Sequence, residues 1–138
     1  MNQSARMGIG LIGDLPAGAV MAQALAGAGH ALIGRSAPPE DRADHVEALL
    51  PGVPVVDAVD IVQRSEMVIL ATDGDALEHL IARLRDQAGV QPGHIITHIS
   101  AQGSIEQLAP LMGQGAIALR LIPLIPLTGH SLDIRRLR

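Results

Sequence analysis

The sequence predicts an α/β protein built on a doubly wound, mainly parallel sheet of six strands. Short apolar runs alternate along the chain with helical patterns, at the spacing typical of parallel α/β architecture. The runs that begin at Met67 and Ile117 are almost wholly apolar, as expected for strands that helices cover on both faces. With 138 residues, 48% of them apolar, the chain is long enough for one domain with a buried core.

The six strands are predicted from the apolar runs, and the helices between them from their end signals. Pro16 and Gly29 bracket a first helix rich in small residues, and a second helix runs from Pro39 to Leu50. Two further helices begin with capping boxes, Asp75 with Glu78 and Ser104 with Gln107. The predicted strands occupy residues 9–12, 31–34, 53–56, 67–72, 95–99 and 117–122.

Composition excludes several classes of function. The chain has no Phe, Tyr, Trp, Cys or Lys, and its formal charge is −4. Without aromatic side chains to stack on bases or a basic surface for phosphodiesters, we expect no nucleic-acid partner. The lack of cysteine removes thiol chemistry, and the lack of lysine removes a Walker-type phosphate loop. Neither a signal peptide nor a membrane span is predicted, so we expect a cytoplasmic protein without a membrane partner.

The turn after the first strand resembles a dinucleotide-binding turn in two of its three glycines. The motif G-x-G-x-x-G places one glycine at the turn, a second where the backbone approaches a pyrophosphate, and a third where helix packs on strand. Gly13 and Gly18 fill the first and third places, and Leu15 takes the second. We predict that this turn holds the cofactor pyrophosphate, with Leu15 pointing at or near that space. The candidate residues are Gly13, Asp14, Leu15, Pro16 and Gly18.

Further candidate residues follow the other predicted strands, because ligands of such sheets bind beyond the carboxyl ends of the strands. Arg35 and Ser36 follow the second strand, where cationic and hydroxyl donors favour the 2′-phosphate of NADP over NAD. The alternative is a solvated arginine and a helix-capping serine. Small residues at the ends of the fourth, fifth and sixth strands complete the predicted cleft: Ala71, Thr72, Asp73, Ser100, Ala101 and Pro123. Those after the fourth strand have an alternative role as a helix N-cap.

Two segments in the second half resemble the pyrroline-5-carboxylate reductase family. Residues 96–108 read ITHISAQGSIEQL and residues 120–126 read RLIPLIP, similar to the family patterns I-S-I-A-A-G-x-S-x-x-x-L and R-x-M-P-N-x-P. Deazaflavin-dependent NADP reductases share the first half equally well. The resemblance implies that residues 1–122 form a Rossmann-like NADP-binding domain, which presents nicotinamide for hydride transfer to a cyclic imine or similar small-molecule substrate.

The chain departs from that family at Leu15, Gln102 and Leu124. In the family a helical domain follows, so residues 123–138 are interpreted as an exit segment toward it. We therefore expect that this chain alone is not catalytically competent. We also expect a homo-oligomer or a partner chain over residues 121–127. The alternative is a non-catalytic, degenerate Rossmann module that acts through assembly with a partner chain.

No catalytic residue and no metal ligand is assigned from the sequence. His94 and His98 are four residues apart, but both lie at a predicted strand and would not share a helical face, so no metal site is predicted there. His98 is the histidine closest to the presumed cleft. Its alternative role is that of a strand histidine whose ring bonds a neighbouring carbonyl group.

Overall fold

The computed structural model describes residues 7–37, 40–72, 74–99 and 105–121, with the backbone alone for Arg42. The elements follow one another as strand–helix units, with two consecutive helical segments after both the second and the fourth strand. In chain order they are β1 (Gly8–Gly13), α1 (Pro16–Gly27), β2 (Ala31–Arg35), α2 (Glu40–Leu49), α3 (Ala58–Arg64), β3 (Met67–Ala71), α4 (Gly74–Gln87), β4 (Ile95–Ile99), a 3-10 helix (Ile105–Leu108), α5 (Ala109–Met112) and β5 (Ile117–Leu121).

The described strands form one parallel sheet in the order β2-β1-β3-β4-β5. The chain adds strands outward from β1 in one direction and then, from β3 onward, in the other, which is the doubly wound arrangement. The α/β class and five of the six predicted strands are therefore confirmed.

The strand predicted at residues 53–56 is wrong. Its residues meet the sheet through one parallel bridge, between Arg35 and Val55. Two hydrogen bonds form this bridge, from the Arg35 N–H to the Pro54 carbonyl and from the Val56 N–H to the Arg35 carbonyl. Pro54 has no N–H to continue a ladder, and Asp57 already caps the next helix by accepting the Val59 N–H.

Helix starts differ from the sequence prediction in two places. Helix α4 begins at Gly74, so Asp75 lies in its first turn rather than at its N-cap. In the first turn its carboxylate still interacts favourably with the positive end of the helix dipole. Helix α3 was not predicted, although Asp57 is a good N-cap residue and the buried Ile61 and Val62 follow it. Ser104, the other predicted cap, lies outside the described residues.

Two aliphatic clusters cover the two faces of the sheet. On the α1/α2 face, the cluster is formed by Ile9, Leu11, Ala19, Ala22, Val46, Leu49, Leu50, Ile69, Ala71 and Ile99. On the opposite face, which we call the α3–α5 face, large buried side chains include Ile61, Leu70, Leu77, Leu84, Ile96, Leu108 and Leu111. Burial on both faces explains the continuous apolar run of β3. The same expectation is wrong for β5, where Ile117, Leu119 and Leu121 are exposed.

Candidate functional site

The direction of strand addition reverses between β1 and β3, which lie side by side. Gly13 at the end of β1 is the register partner of Ala71 at the end of β3. In doubly wound sheets, ligands bind in the crevice outside the carboxyl ends of the strands at this point. The turn of residues 13–18 therefore lies where a ligand of this fold is expected.

Gly13 has the geometry that the first glycine of the motif requires. Its φ is +108°, a backbone conformation that residues with a side chain rarely adopt. A Cβ at this position would collide with the carbonyl oxygen of Ala71. The Gly13 N–H donates to the Ser36 hydroxyl oxygen at 2.9 Å, which ties the turn to the end of β2.

Gly18 performs the packing role of the third glycine. A Cβ there would collide with the Cβ of Ala71 and would lie 3.1 Å from Cδ1 of Leu11. Helix α1 therefore rests directly on β3 and β1, with no room for a methyl group between them. The start of this helix is brought close to the edge of the sheet as a result.

Leu15 is half-buried and packs against the cluster on the α1/α2 face. Its N–H donates to the Ala71 carbonyl oxygen at 3.0 Å, and its own carbonyl accepts the Gly18 N–H at 2.9 Å. Pro16 follows as the first residue of α1, where its missing N–H costs nothing. The turn is thus closed over the end of β3, with the N–H groups of Leu15 and Gly18 already used.

Arg35 and Ser36 occupy different environments. Ser36 serves as the acceptor for Gly13 described above, rather than as a helix cap. Arg35 is 5% exposed, so the alternative of a solvated arginine is wrong. Its Nη2 lies 3.2 Å from Oε1 of Glu47 on α2, while Nε and Nη1 have no hydrogen-bond partner among the described residues.

The end of β3 contacts His98 of β4. The His98 ring is fully buried, and its Nε2 lies 3.0 Å from the carbonyl oxygen of Thr72. Because a carbonyl only accepts, Nε2 carries the proton in this bond. This matches the carbonyl-bonded alternative given for His98, that of a buried strand histidine.

A cleft of about 340 Å³ opens between the start of α1 and α2. Asp41 and His45 line it from α2, four residues apart on one side of the helix. Sequence reasoning missed both, although the spacing within a predicted helix was the available signal. The remaining lining residues are Asp14, Pro16, Ala19, Val46 and Leu49.

The structure thus brings together Gly13, Leu15, Gly18, Ser36 and Ala71 at the switch point, joined by the contacts above. Asp14 and Pro16 line the adjacent cleft, and the Thr72 carbonyl accepts the hydrogen bond from His98. Arg35 lies under α2 and does not line the cleft. Four predicted residues fall outside the described part of the chain, namely Asp73, Ser100, Ala101 and Pro123.

The predicted association surface at residues 121–127 is described at Leu121 alone, which is 38% exposed. Ile117 and Leu119, on the same side of β5, are also exposed. Association through this surface stays a prediction. Within residues 7–37, 40–72, 74–99 and 105–121, no group of three or more His, Asp or Glu side chains is placed to hold a metal ion. Nor does any helix there combine the length and apolar composition needed to cross a bilayer.

Comparison with known proteins agrees with this architecture. The family model described as a Rossmann-like domain matches residues 1–123. No curated protein matches the sequence. Among solved structures, 3-hydroxyisobutyrate dehydrogenase from Mycobacterium tuberculosis, with L-serine, has 22% identity and a TM-score of 0.71, over 92% of this chain and 44% of that one.

Two structures of the imine reductase from Myxococcus stipitatus are also similar. The complex with NADP⁺ has 19% identity and a TM-score of 0.62, over 85% of this chain and 41% of that one. A variant in complex with NAD⁺ has 19% identity and a TM-score of 0.65, over 87% and 41%. This chain therefore spans less than half the length of these structures, and at such identities the likeness establishes the fold. Taken with the family match over most of its length, the chain belongs to the Rossmann-like domain family.

Proposed function

We propose that the chain is the dinucleotide-binding domain of an NAD(P)-dependent oxidoreductase and that its cofactor is NADP. The observation that carries the proposal is the turn at the switch point, where Gly13 and Gly18 each leave no room for a Cβ against Ala71. Such packing brings the start of α1 to the place where the pyrophosphate of a dinucleotide lies in this fold. Similar structures that hold NADP⁺ and NAD⁺ support the same interpretation.

The residues present fit a dinucleotide at two points. At the start of α1, Pro16 has no N–H and the N–H groups of Leu15 and Gly18 are bonded within the turn, so the helix dipole beside the cleft of about 340 Å³ would be what favours the pyrophosphate. Arg35 offers a buried guanidinium whose Nε and Nη1 lack partners among the described residues, which suits the added charge of a 2′-phosphate. The bound nicotinamide would supply the hydride, and the domain would bind and orient it.

The finer proposal concerns the substrate, a cyclic imine or a similar small molecule. It rests on the resemblance of residues 96–108 and 120–126 to pyrroline-5-carboxylate reductases, and the imine reductases among the similar structures support it. This chain spans less than half the length of those structures. We therefore propose imine reduction for a site that also includes groups outside the described residues.

Titration calorimetry with NADPH and NADH tests the cofactor assignment. We expect tighter binding of NADPH, with Arg35→Ala removing about 1.5–3 kcal/mol of that preference, the range for hydrogen bonds to charged groups. Arg64→Ala makes the same charge change at an exposed residue of α3 and should leave the preference unchanged. Equal or stronger binding of NADH by the unaltered chain would remove the NADP assignment.

A second candidate is the non-catalytic module that no longer binds a dinucleotide. It is favoured by Leu15, which takes the place of the second glycine and whose N–H is already bonded to Ala71. The same titration separates the two candidates. If neither NADPH nor NADH gives a heat of binding, the result supports the non-catalytic module over the oxidoreductase domain.

A further inference from the structure

Arg35 is a buried cation whose hydrogen-bonding capacity is mostly unused. Its side chain is 6% exposed, yet its one ion pair among the described residues is the contact of 3.2 Å to Glu47. Because removing a guanidinium from water costs free energy that only paired N–H groups offset, Nε and Nη1 remain receptive to a further anion. A phosphate would satisfy them better than one carboxylate oxygen does.

Glu47 is fixed through both of its carboxylate oxygens. Oε1 accepts from Arg35, and Oε2 accepts the Gly52 N–H at 3.1 Å in the turn after α2. Gly52 has a φ of +75°, so this turn has a defined, glycine-dependent shape. Glu47 therefore presents its charge to Arg35 from a position that the backbone helps to hold.

The position of Glu47 on α2 directs Arg35 away from the cleft. His45 lines the cleft, and Glu47 lies two residues further on, roughly 200° around the helix. The guanidinium group is drawn to the side of α2 that does not line the cleft. A phosphate bound in the cleft would have to compete with Glu47 for it.

We propose that Glu47 determines cofactor specificity by holding Arg35 away from the cleft, which weakens binding of a dinucleotide that carries a 2′-phosphate. This inference rests on the proposed dinucleotide site. A dinucleotide without the 2′-phosphate does not need Arg35, so its affinity is independent of Glu47. The carboxylate thus lowers the preference for NADP that Arg35 would otherwise give.

The test is calorimetric titration of Glu47→Gln with NADPH and NADH. We expect NADPH to bind roughly 3- to 10-fold more tightly than it binds the unaltered chain, with NADH within about twofold. Asp44→Asn removes the same charge from an exposed position of the same helix and should leave the ratio of the two affinities unchanged. Adding Glu47→Gln to Arg35→Ala should give no gain for NADPH, because the gain requires the guanidinium.

The outcomes separate the inference from the proposed function. If the unaltered chain binds neither dinucleotide nor 2′,5′-ADP, the dinucleotide site itself is refuted. If it binds them but Glu47→Gln leaves the affinity ratio unchanged, Glu47 has no role in specificity. Weaker NADPH binding by a Glu47→Gln chain with unaltered thermal unfolding would also overturn the inference, because Glu47 would then orient Arg35 toward the phosphate.

Discussion

Aliphatic residues pack both faces of the sheet, but the two faces differ beside the switch point. On the α3–α5 face, large aliphatic residues such as Leu70, Leu77 and Leu84 are fully buried. On the α1/α2 face, Gly18 and Ala71 meet with no space for another atom, and a cleft opens beside them. We therefore expect truncations on the first face to affect stability alone, whereas the second face combines close backbone approach with an opening for a ligand.

A leucine truncation on each face gives the largest expected effect. Leu77→Ala should lower the free energy of unfolding by about 2–5 kcal/mol, because it leaves a cavity in a fully buried cluster. The dinucleotide affinity of the folded protein should not change. Leu49→Ala, on the other face, removes a residue that lines the cleft and should reduce both quantities. Urea unfolding and calorimetry measure them, and a loss of affinity in Leu77→Ala would contradict this separation of roles.

Gly18→Ala tests the close approach of α1 to β3. The added methyl group collides with the Cβ of Ala71, so we expect a loss of roughly 2–3 kcal/mol in urea unfolding. Ala71→Gly in the same chain removes the atom it meets and should recover most of that loss. No recovery in the double variant would show that Leu11, 3.1 Å away, is the limiting contact instead.

Leu15→Gly should change stability and affinity in opposite directions. Glycine loses the packing of a half-buried leucine and costs conformational entropy, about 1–2 kcal/mol of unfolding free energy together. If the side chain obstructs the pyrophosphate, dinucleotide binding becomes stronger. Leu15→Ala, which keeps a Cβ, should give most of the gain. If both variants bind the dinucleotide more weakly, Leu15 does not obstruct the pyrophosphate and serves only in packing.

The smallest effect is expected at Asp57, on the α3–α5 face. Its side-chain hydrogen bonds with Arg83, both at 2.9 Å, lower the pKa of the carboxyl below its ordinary value of 3.8. The ionised form therefore adds stability above pH 3.8, which is lost as the pH falls below it through the folded-state pKa. Thermal unfolding of Asp57→Asn between pH 2 and 7 should show a flatter acid limb than Asp60→Asn. If the two variants lose stability equally as the pH falls, the stabilising role assigned to the Asp57 carboxylate is wrong.

The sequence predicts the fold well where local signals agree with the packing. Apolar runs identify all five observed strands, and the glycine spacing identifies Gly13 and Gly18 with their separate roles. The strand at residues 53–56 fails because Pro54 and the cap at Asp57 override an apolar run. Helix α3, which is only seven residues long, gave a pattern too short to be distinguished from a loop.

The site is predicted less completely because its contacts are long-range. The position of Arg35 after the second strand follows from the sequence, but its pairing with Glu47 depends on how α2 packs over the sheet. Likewise, the bond between Ser36 and Gly13 joins the ends of two strands. Asp41 and His45 do have a signal in the sequence, because polar residues four apart on a predicted helix lie on the same side of it. We considered that spacing for the pair His94 and His98 alone.

Dinucleotide binding at the switch point is tested most directly by comparing Gly13→Ala with Gly29→Ala. The two glycines have nearly equal φ values, +108° and +105°, so an alanine is similarly strained at both. A Cβ meets the Ala71 carbonyl at residue 13, but nothing lies within 4 Å of one at residue 29. Titration of folded protein with NADPH should show binding by the unaltered chain and Gly29→Ala, and at least a roughly tenfold loss in Gly13→Ala. Equal affinities of the two variants would contradict a dinucleotide site at this turn.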